Sequence, residues 1–192
     1  MLTTTAFALF ETAIGPCAIA WGKRGIVGLQ LPERDAAATR SRIARRFGDA
    51  VEARPPPGID LAIGDIVRLL AGTSVDLSRI DLDMAGVPDF HRRVYAIARA
   101  IPPGATSTYG EIAGRLGEPG DARAVGQALG ANPFPIVVPC HRVLAAGGKV
   151  GGFSANGGRM TKRRLLNIER ARIGDTPTLF DDHGGLPLRI AG

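Results

Sequence analysis

Proline and glycine punctuate this chain so often that the segments between them are short, and this bounds what it can build. The run Arg54-Pro55-Pro56-Pro57-Gly58 is expected as a loop, because consecutive prolines supply no backbone donors. Before it, positions 6–9, 17–21 and 26–31 are β-type runs, parted by Gly15-Pro16 and by Gly22-Lys23-Arg24-Gly25, and they predict antiparallel sheet. Positions 33–47 hold helix formers, with Ile43 and Phe47 one turn apart, Arg40, Arg42, Arg45 and Arg46 on the remaining surface, and Gly48 as the stop. After the prolines, Asp60 is the expected cap of a helix that gathers Ala62, Ile66, Leu69 and Leu70 on one face and ends at Gly72.

Ala85-Gly86-Val87-Pro88 reads as a linker, which predicts a first unit over 1–84 and a second over 88–173, with 174–192 as a loosely attached tail. In the second unit Phe90, Val94, Ile97, Ala98 and Ile101 keep helical spacing, with Asp89 as the expected cap and Pro102-Pro103-Gly104 as the stop. Two short helices follow, at 109–116 and 122–129, joined by a turn through Gly117, Pro119 and Gly120, with Asp121 available as a cap. That pattern predicts a helix-turn-helix. The second helix carries small side chains almost throughout and can approach another backbone closely. Ile136-Val137-Val138 is a short β-branched run that stops at Pro139.

Lysine plus arginine outnumber aspartate plus glutamate by 24 to 18, a formal charge of +6 that favours a polyanionic partner without identifying one. Cys17 and Cys140 stand far apart with no CxxC spacing, so neither a disulfide framework nor a four-ligand zinc site is expected. No basic leader with an apolar run opens the chain and no apolar stretch is long enough to span a bilayer. The expectation is a cytoplasmic protein with no membrane contact.

Cys140 is followed by His141 and Arg142. In an extended strand such neighbours point to opposite faces, so the pair becomes useful only where the chain turns, as Pro139 allows. An unperturbed thiol with a pKa near ~8.5 is only a few per cent thiolate at neutral pH, and an imidazole that accepts the proton would activate it. On the dipeptide alone, an inert buried cysteine beside a surface histidine stands equally open. Cys17 reads as a sheet residue that fills core, and His91 and His183 as surface histidines.

The string Asn132-Pro133-Phe134-Pro135-Ile136-Val137-Val138-Pro139-Cys140-His141-Arg142-Val143 resembles the active-site signature of the O6-alkylguanine-DNA alkyltransferases, the methylated-DNA–protein-cysteine methyltransferase family. The likeness runs from Phe90 to Glu169. It includes Thr108-Tyr109, Ala122-Arg123-Ala124-Val125-Gly126, Val150-Gly151-Gly152-Phe153-Ser154 and Leu165-Leu166-Asn167-Ile168-Glu169. The resemblance implies an α+β protein, with a ribonuclease H-like N-terminal domain and a mostly helical C-terminal domain that carries the helix-turn-helix.

It also implies roles. Cys140 would accept the alkyl group once, His141 would take its proton through a water, and Glu169 would orient the imidazole. Asn132 would tie the cysteine turn to the helix-turn-helix. Tyr109 would press on the target phosphate and give its hydroxyl to the leaving guanine. Arg123 would fill the stack left by the flipped nucleotide, with Thr108, Ala122, Ala124 and Gly126 along the DNA. Carbonyls of Cys140 and Val143 would read the guanine amino group, while Val150, Gly151, Phe153 and Ser154 would line the base pocket. The partner would be double-stranded DNA bearing alkylated bases, met by a monomer, with no metal and no cofactor.

Two departures bear on substrate range. Ser154 is followed by Ala155-Asn156-Gly157-Gly158, a longer loop than many members carry, and Phe153 stands where some have tyrosine; O4-alkylthymine and larger alkyl groups stay open. The plainer readings are an exposed helix arginine at 123, a solvated Glu169 paired with Arg164 or Arg172, and a turn serine at 154. Two other functions also fit parts of the pattern. A recognition protein that flips the base without repairing it, like the alkyltransferase-like proteins, normally lacks the acceptor cysteine. A thiol hydrolase would have no use for the helix-turn-helix.

Overall fold

The structure, a computed structural model, describes residues 5–48 and 50–171; the predicted tail at 174–192 and His183 lie outside the described residues. The N-terminal runs form strands β1 (Ala6–Phe10), β2 (Cys17–Gly22) and β3 (Gly25–Gln30), paired antiparallel as expected. A two-residue β4 (Val51–Glu52) adds to β1 in parallel, so the sheet order is β3-β2-β1-β4. Alternation divides the side chains between two faces. Phe7, Ala18 and Ala20 meet Ile43 of α1 (Ala36–Arg46) on one side, while Ala8, Cys17, Ile19 and Trp21 enter the main core on the other. Gly28 has a packing reason: an added Cβ would sit 2.6 Å from the Phe47 ring, which closes α1 directly onto β3.

Helix starts differ from the sequence expectations in instructive ways. Asp35 caps α1, accepting from the Ala38 N–H at 2.7 Å. The proline loop ends two residues earlier than expected, because Pro57 opens α2 (Pro57–Leu70), where a missing N–H costs the helix nothing. Asp60 is therefore not a cap but an acidic residue of the first turn. Asp89 likewise sits inside α3 (Asp89–Arg99), with Pro88 at the cap position. Asp121 precedes α5 (Ala122–Gly130) but makes no capping bond with its side chain. The firm cap is one that composition did not single out: Thr108 and Glu111 form a reciprocal capping box at the head of α4 (Tyr109–Arg115), and Ser107 adds a bond to Glu111 at 2.7 Å.

The two halves share one apolar core. Ile19 and Leu29 from the sheet, Leu69 from α2, Tyr95 from α3, Val125 from α5 and Phe134 and Val138 from the following loop pack into a single cluster. Polar ties cross the same seam: the Leu29 N–H donates to Pro133 O at 2.9 Å, and Arg164 of α6 (Gly158–Ile168) donates to Ala13 O at 2.6 Å. Tyr95 links α3 to α5 by donating to Ala128 O at 2.8 Å from full burial. Among the described residues no helix is long and apolar enough to cross a membrane.

Candidate active site

The β-branched run at 136–138 was expected to extend as a strand, and it does not. Pro133, Pro135 and Pro139 withhold donors from any ladder, and Ile136 adopts φ 77°, a left-handed conformation that costs a β-branched residue roughly 1–2 kcal/mol. Asn132 holds the turn closed: its Oδ1 accepts from the Phe134 N–H at 2.9 Å and its Nδ2 donates to Val138 O at 2.8 Å. The chain then makes a single 3-10 turn over Cys140–Arg142 and enters a two-residue β6 (Val143–Leu144), parallel to β5 (Ser107–Thr108).

Three buried ionisable groups define the site's chemistry. His141 is fully buried and its Nε2 lies 3.0 Å from Glu169 Oε1. Glu169 is gripped on both oxygens by Arg142, at 2.8 Å to each, and Arg142 also donates to Ile101 O at 2.5 Å. The carboxylate is thus tied to Arg142, not to Arg164, which turns to the N-terminal half; Arg172 lies outside the described residues. Burial alone would raise Glu169, but the bonds from His141 and Arg142 outweigh it and hold the carboxyl at about 2. Burial keeps the His141 imidazole below its usual value, with Glu169 offsetting only part of that. The pair is therefore a neutral imidazole against a carboxylate, with His141 Nδ1 buried and without a partner among the described residues.

Lys162 is the residue that sequence reading missed. It is fully buried, donating from Nζ to Val143 O at 2.6 Å and lying 3.5 Å from the Tyr109 hydroxyl. Lys162 shares α6 with Arg159, Arg163 and Arg164, and nothing in the sequence marks which of the four points inward. Burial pushes the Cys140 thiol up, opposed by a bond from Asn132, the Lys162 charge and nearby backbone amides. Tyr109 is raised too, by burial and by its proximity to Cys140, so its hydroxyl keeps its proton.

Cys140, only 7% exposed, sits where two cavities meet. One, of about 320 Å³, is walled by Tyr109, by Gly126 and Leu129 of α5, and by Phe153 and Ser154. The other, of about 250 Å³, runs from Cys140 past Pro135 and Phe153 to the end of β3 and to Arg42 and Arg46 of α1. Of the residues expected around a base, Phe153 and Ser154 line the first cavity, and Gly151 packs on Tyr109, where an added Cβ would stand 3.5 Å from its ring and hydroxyl. Val143 is buried core, its carbonyl already engaged by Lys162, and Val150 packs on Leu144, Leu166 and Ala171. Arg123 is exposed on α5, with Ala122, Ala124 and Gly126 half-buried beside it. The Thr108 hydroxyl accepts the Glu111 N–H as a cap.

A thiol between two cavities, an imidazole backed by a carboxylate, and a small-residue helix at the wall define a class: α+β proteins with a buried cysteine and a histidine–carboxylate pair beside two short helices. Residues 89–171 match the model of the DNA-binding domain of 6-O-methylguanine DNA methyltransferase. The methylated-DNA–protein-cysteine methyltransferase of Mycobacterium tuberculosis is 36% identical over 91% of this chain and 98% of its own, and that of Methanothermobacter thermautotrophicus is 35% identical over 79% and 77%. The chain belongs to the methylated-DNA–protein-cysteine methyltransferase family. Its fold resembles that of Mycobacterium tuberculosis OGT solved in complex with DNA, with a TM-score of 0.65 at 34% identity over 86% of this chain and 92% of that one. The O6-methylguanine-DNA methyltransferase of Pyrococcus kodakaraensis is similar too, with a TM-score of 0.65 at 26% identity over 86% and 99%.

Proposed function

We propose that this protein repairs duplex DNA by direct reversal, moving the alkyl group of O6-alkylguanine onto Cys140 once per molecule. The observation that carries the reading is the Cys140 sulfur at the junction of two cavities, beside a buried His141–Glu169 pair. The Cys140 sulfur bonds the alkyl carbon as the carbon–O6 bond breaks, the electron pair passes to the guanine ring, and the thiol proton ends on the departing base. His141 Nδ1, through a bridging water, takes the proton from sulfur, while Glu169, anchored by Arg142, fixes the imidazole tautomer. Tyr109, protonated at rest, gives its proton to the guanine ring as the base departs and recovers one from the thiol by way of the water and His141, so the net change is the thiol proton carried to the base. A thioether forms that water does not cleave, so turnover stops there.

Alkyl carbon on guanine O6 is inaccessible to sulfur inside the stack, so the nucleotide must leave it, at a cost of a few kcal/mol. We read α4 and α5 as a helix-turn-helix within a second unit at 88–173, and 1–84 as a ribonuclease H-like unit. Ala122, Ala124 and Gly126 give α5 the low profile that a minor groove admits, Thr108 stands at the same edge, and exposed Arg123 is placed to fill the vacated stack. The cavity beside Tyr109 and Phe153 takes the extruded base, with Ser154 and Gly152 at its wall and Gly151 packed on Tyr109. Cys140, His141, Asn132, Glu169 and Tyr109 all come from one chain, which supports a monomer as the working unit.

Incubation with a duplex containing O6-methylguanine is expected to add one methyl mass to the peptide bearing Cys140. Methyl on another residue, or on none, sinks the reading. Arg123→Ala is expected to slow repair of duplex at least tenfold while leaving reaction with free O6-benzylguanine nearly unchanged, because only the duplex has a stack to fill. Equal losses on both substrates remove the finger role.

A further inference from the structure

The cavity beside Tyr109 accounts for a base, but the second cavity at Cys140 has no part in that account. It starts beside the end of α5 at Gly130, shares Phe153 and Ser154 with the first cavity, and runs to the N-terminal half, where Leu29 and Leu31 join Pro135 and Phe153 as its apolar walls. At its far end stand Arg42 and Arg46 of α1, with Gln30 and Glu33 opposite. In-line displacement places sulfur, carbon and O6 on one axis, so whatever else the carbon carries must project sideways from it. With the base in the first cavity, the space beside the sulfur that opens sideways is this one.

We infer that the second cavity houses the body of bulky O6 substituents, and that the protein prefers substituents ending in a carboxylate over neutral ones of equal length. The inference rests on Cys140 being the alkyl acceptor. Its charge argument is local. Glu33 is held by Gln30 Nε2 at 3.1 Å and lies 4.0 Å from Arg42, so it offsets one guanidinium. Arg46 donates to Leu29 O at 3.3 Å, lies over the Phe47 ring, and has no carboxylate partner among the described residues. Arg42 and Arg46 are both exposed, so an arriving carboxylate meets them at the solvent rim, where a single ion pair is worth no more than a few-fold in rate. One cation without a carboxylate partner, in a passage that Asn132, Ser154 and Asn156 make polar along with Gln30 and Glu33, matches an anion carried on a short methylene chain. The transfer is otherwise unchanged: the sulfur bonds the first carbon, the bond to O6 breaks, and the carboxylate takes no part in the electron flow.

The test uses the full-length protein with four modified duplexes, O6-carboxymethylguanine and O6-(3-carboxypropyl)guanine and the primary amide of each, with O6-methylguanine as reference. Transfer rates come from the mass of the peptide bearing Cys140. The acid is expected to outrun its amide by about threefold at one of the two lengths, the size of one solvent-exposed ion pair. Arg46→Gln and, separately, Arg42→Gln are expected to shrink that ratio, Arg46→Gln to near unity, while methyl transfer stays within about twofold of the parent. Methyl transfer in each variant doubles as the check that it folds. Equal rates for acid and amide at both lengths, or a preference that survives both substitutions, overturn the inference and leave methyl repair standing. Loss of methyl transfer from the parent protein overturns both.

Discussion

The two cysteines lie in one apolar core, and their surroundings could hardly differ more in consequence. Cys17 opens the central strand β2, is 2% exposed, and meets only the Thr12 hydroxyl at 3.7 Å; burial pushes its thiol up to about 12. Cys140 is buried almost as deeply, and burial raises it as well, yet it stands at the head of a tight turn with Asn132, Lys162 and backbone amides drawing on its charged form. Depth, then, does not separate an inert thiol from a reactive one. Position does, because a cation, oriented amides and an opening to two cavities converge on one sulfur and not on the other.

The largest effect that tests this contrast is loss of the acceptor. Cys140→Ala is expected to abolish methyl uptake, whereas Cys17→Ala keeps it and lowers unfolding stability by about 1 kcal/mol through the small cavity left in the sheet. Uptake by the Cys140→Ala protein, read by peptide mass, breaks the comparison outright.

Removing only the cation sharpens it. Lys162→Met keeps volume and burial but leaves Cys140 without its positive neighbour, so transfer to free O6-benzylguanine at neutral pH is expected to fall about tenfold. Since the defect is a thiol raised further, the gap narrows as pH is increased. A variant as fast as the parent at every pH would show that the amides and Asn132 suffice.

The smallest effect concerns Glu169, whose folded carboxyl lies at about 2 against an ordinary 4.5. A depressed carboxylate stabilises the fold fully above its ordinary value and loses that contribution as pH falls from about 4.5 towards 2. Glu169→Gln is therefore expected to be less stable than the parent at pH 6, with the difference in Tm shrinking through that acidic window. A constant difference across it would mean that the grip of Arg142 and His141 contributes nothing through charge.

What was legible in the sequence was whatever depended on neighbours in the chain. β-type runs parted by glycine and proline predicted β1 to β3, and helical spacing predicted the core faces of α2 and α3. The Cys140-His141 pair and Glu169 were legible through the resemblance of a long ordered motif, and the 3.0 Å bond from His141 to Glu169 brings two of them together. Capping was read poorly: Asp60 and Asp89 have the right chemistry one or more residues inside their helices, since a preceding proline already sets the backbone where each helix begins.

The sequence by itself determined the β-type runs and the breaks, because those are properties of short stretches and of the backbone geometry that proline and glycine permit. Only the tertiary structure decided that 136–138 would turn instead of extend, that Arg142 would grip Glu169, and that Lys162 would point inward to Val143 and Tyr109. The physical reason is distance along the chain. The Glu169 carboxylate reaches Arg142 across 27 residues, and Lys162 reaches Tyr109 across 53. Which of many similar cations is drawn out of water depends on the polar groups that the rest of the fold leaves waiting for it.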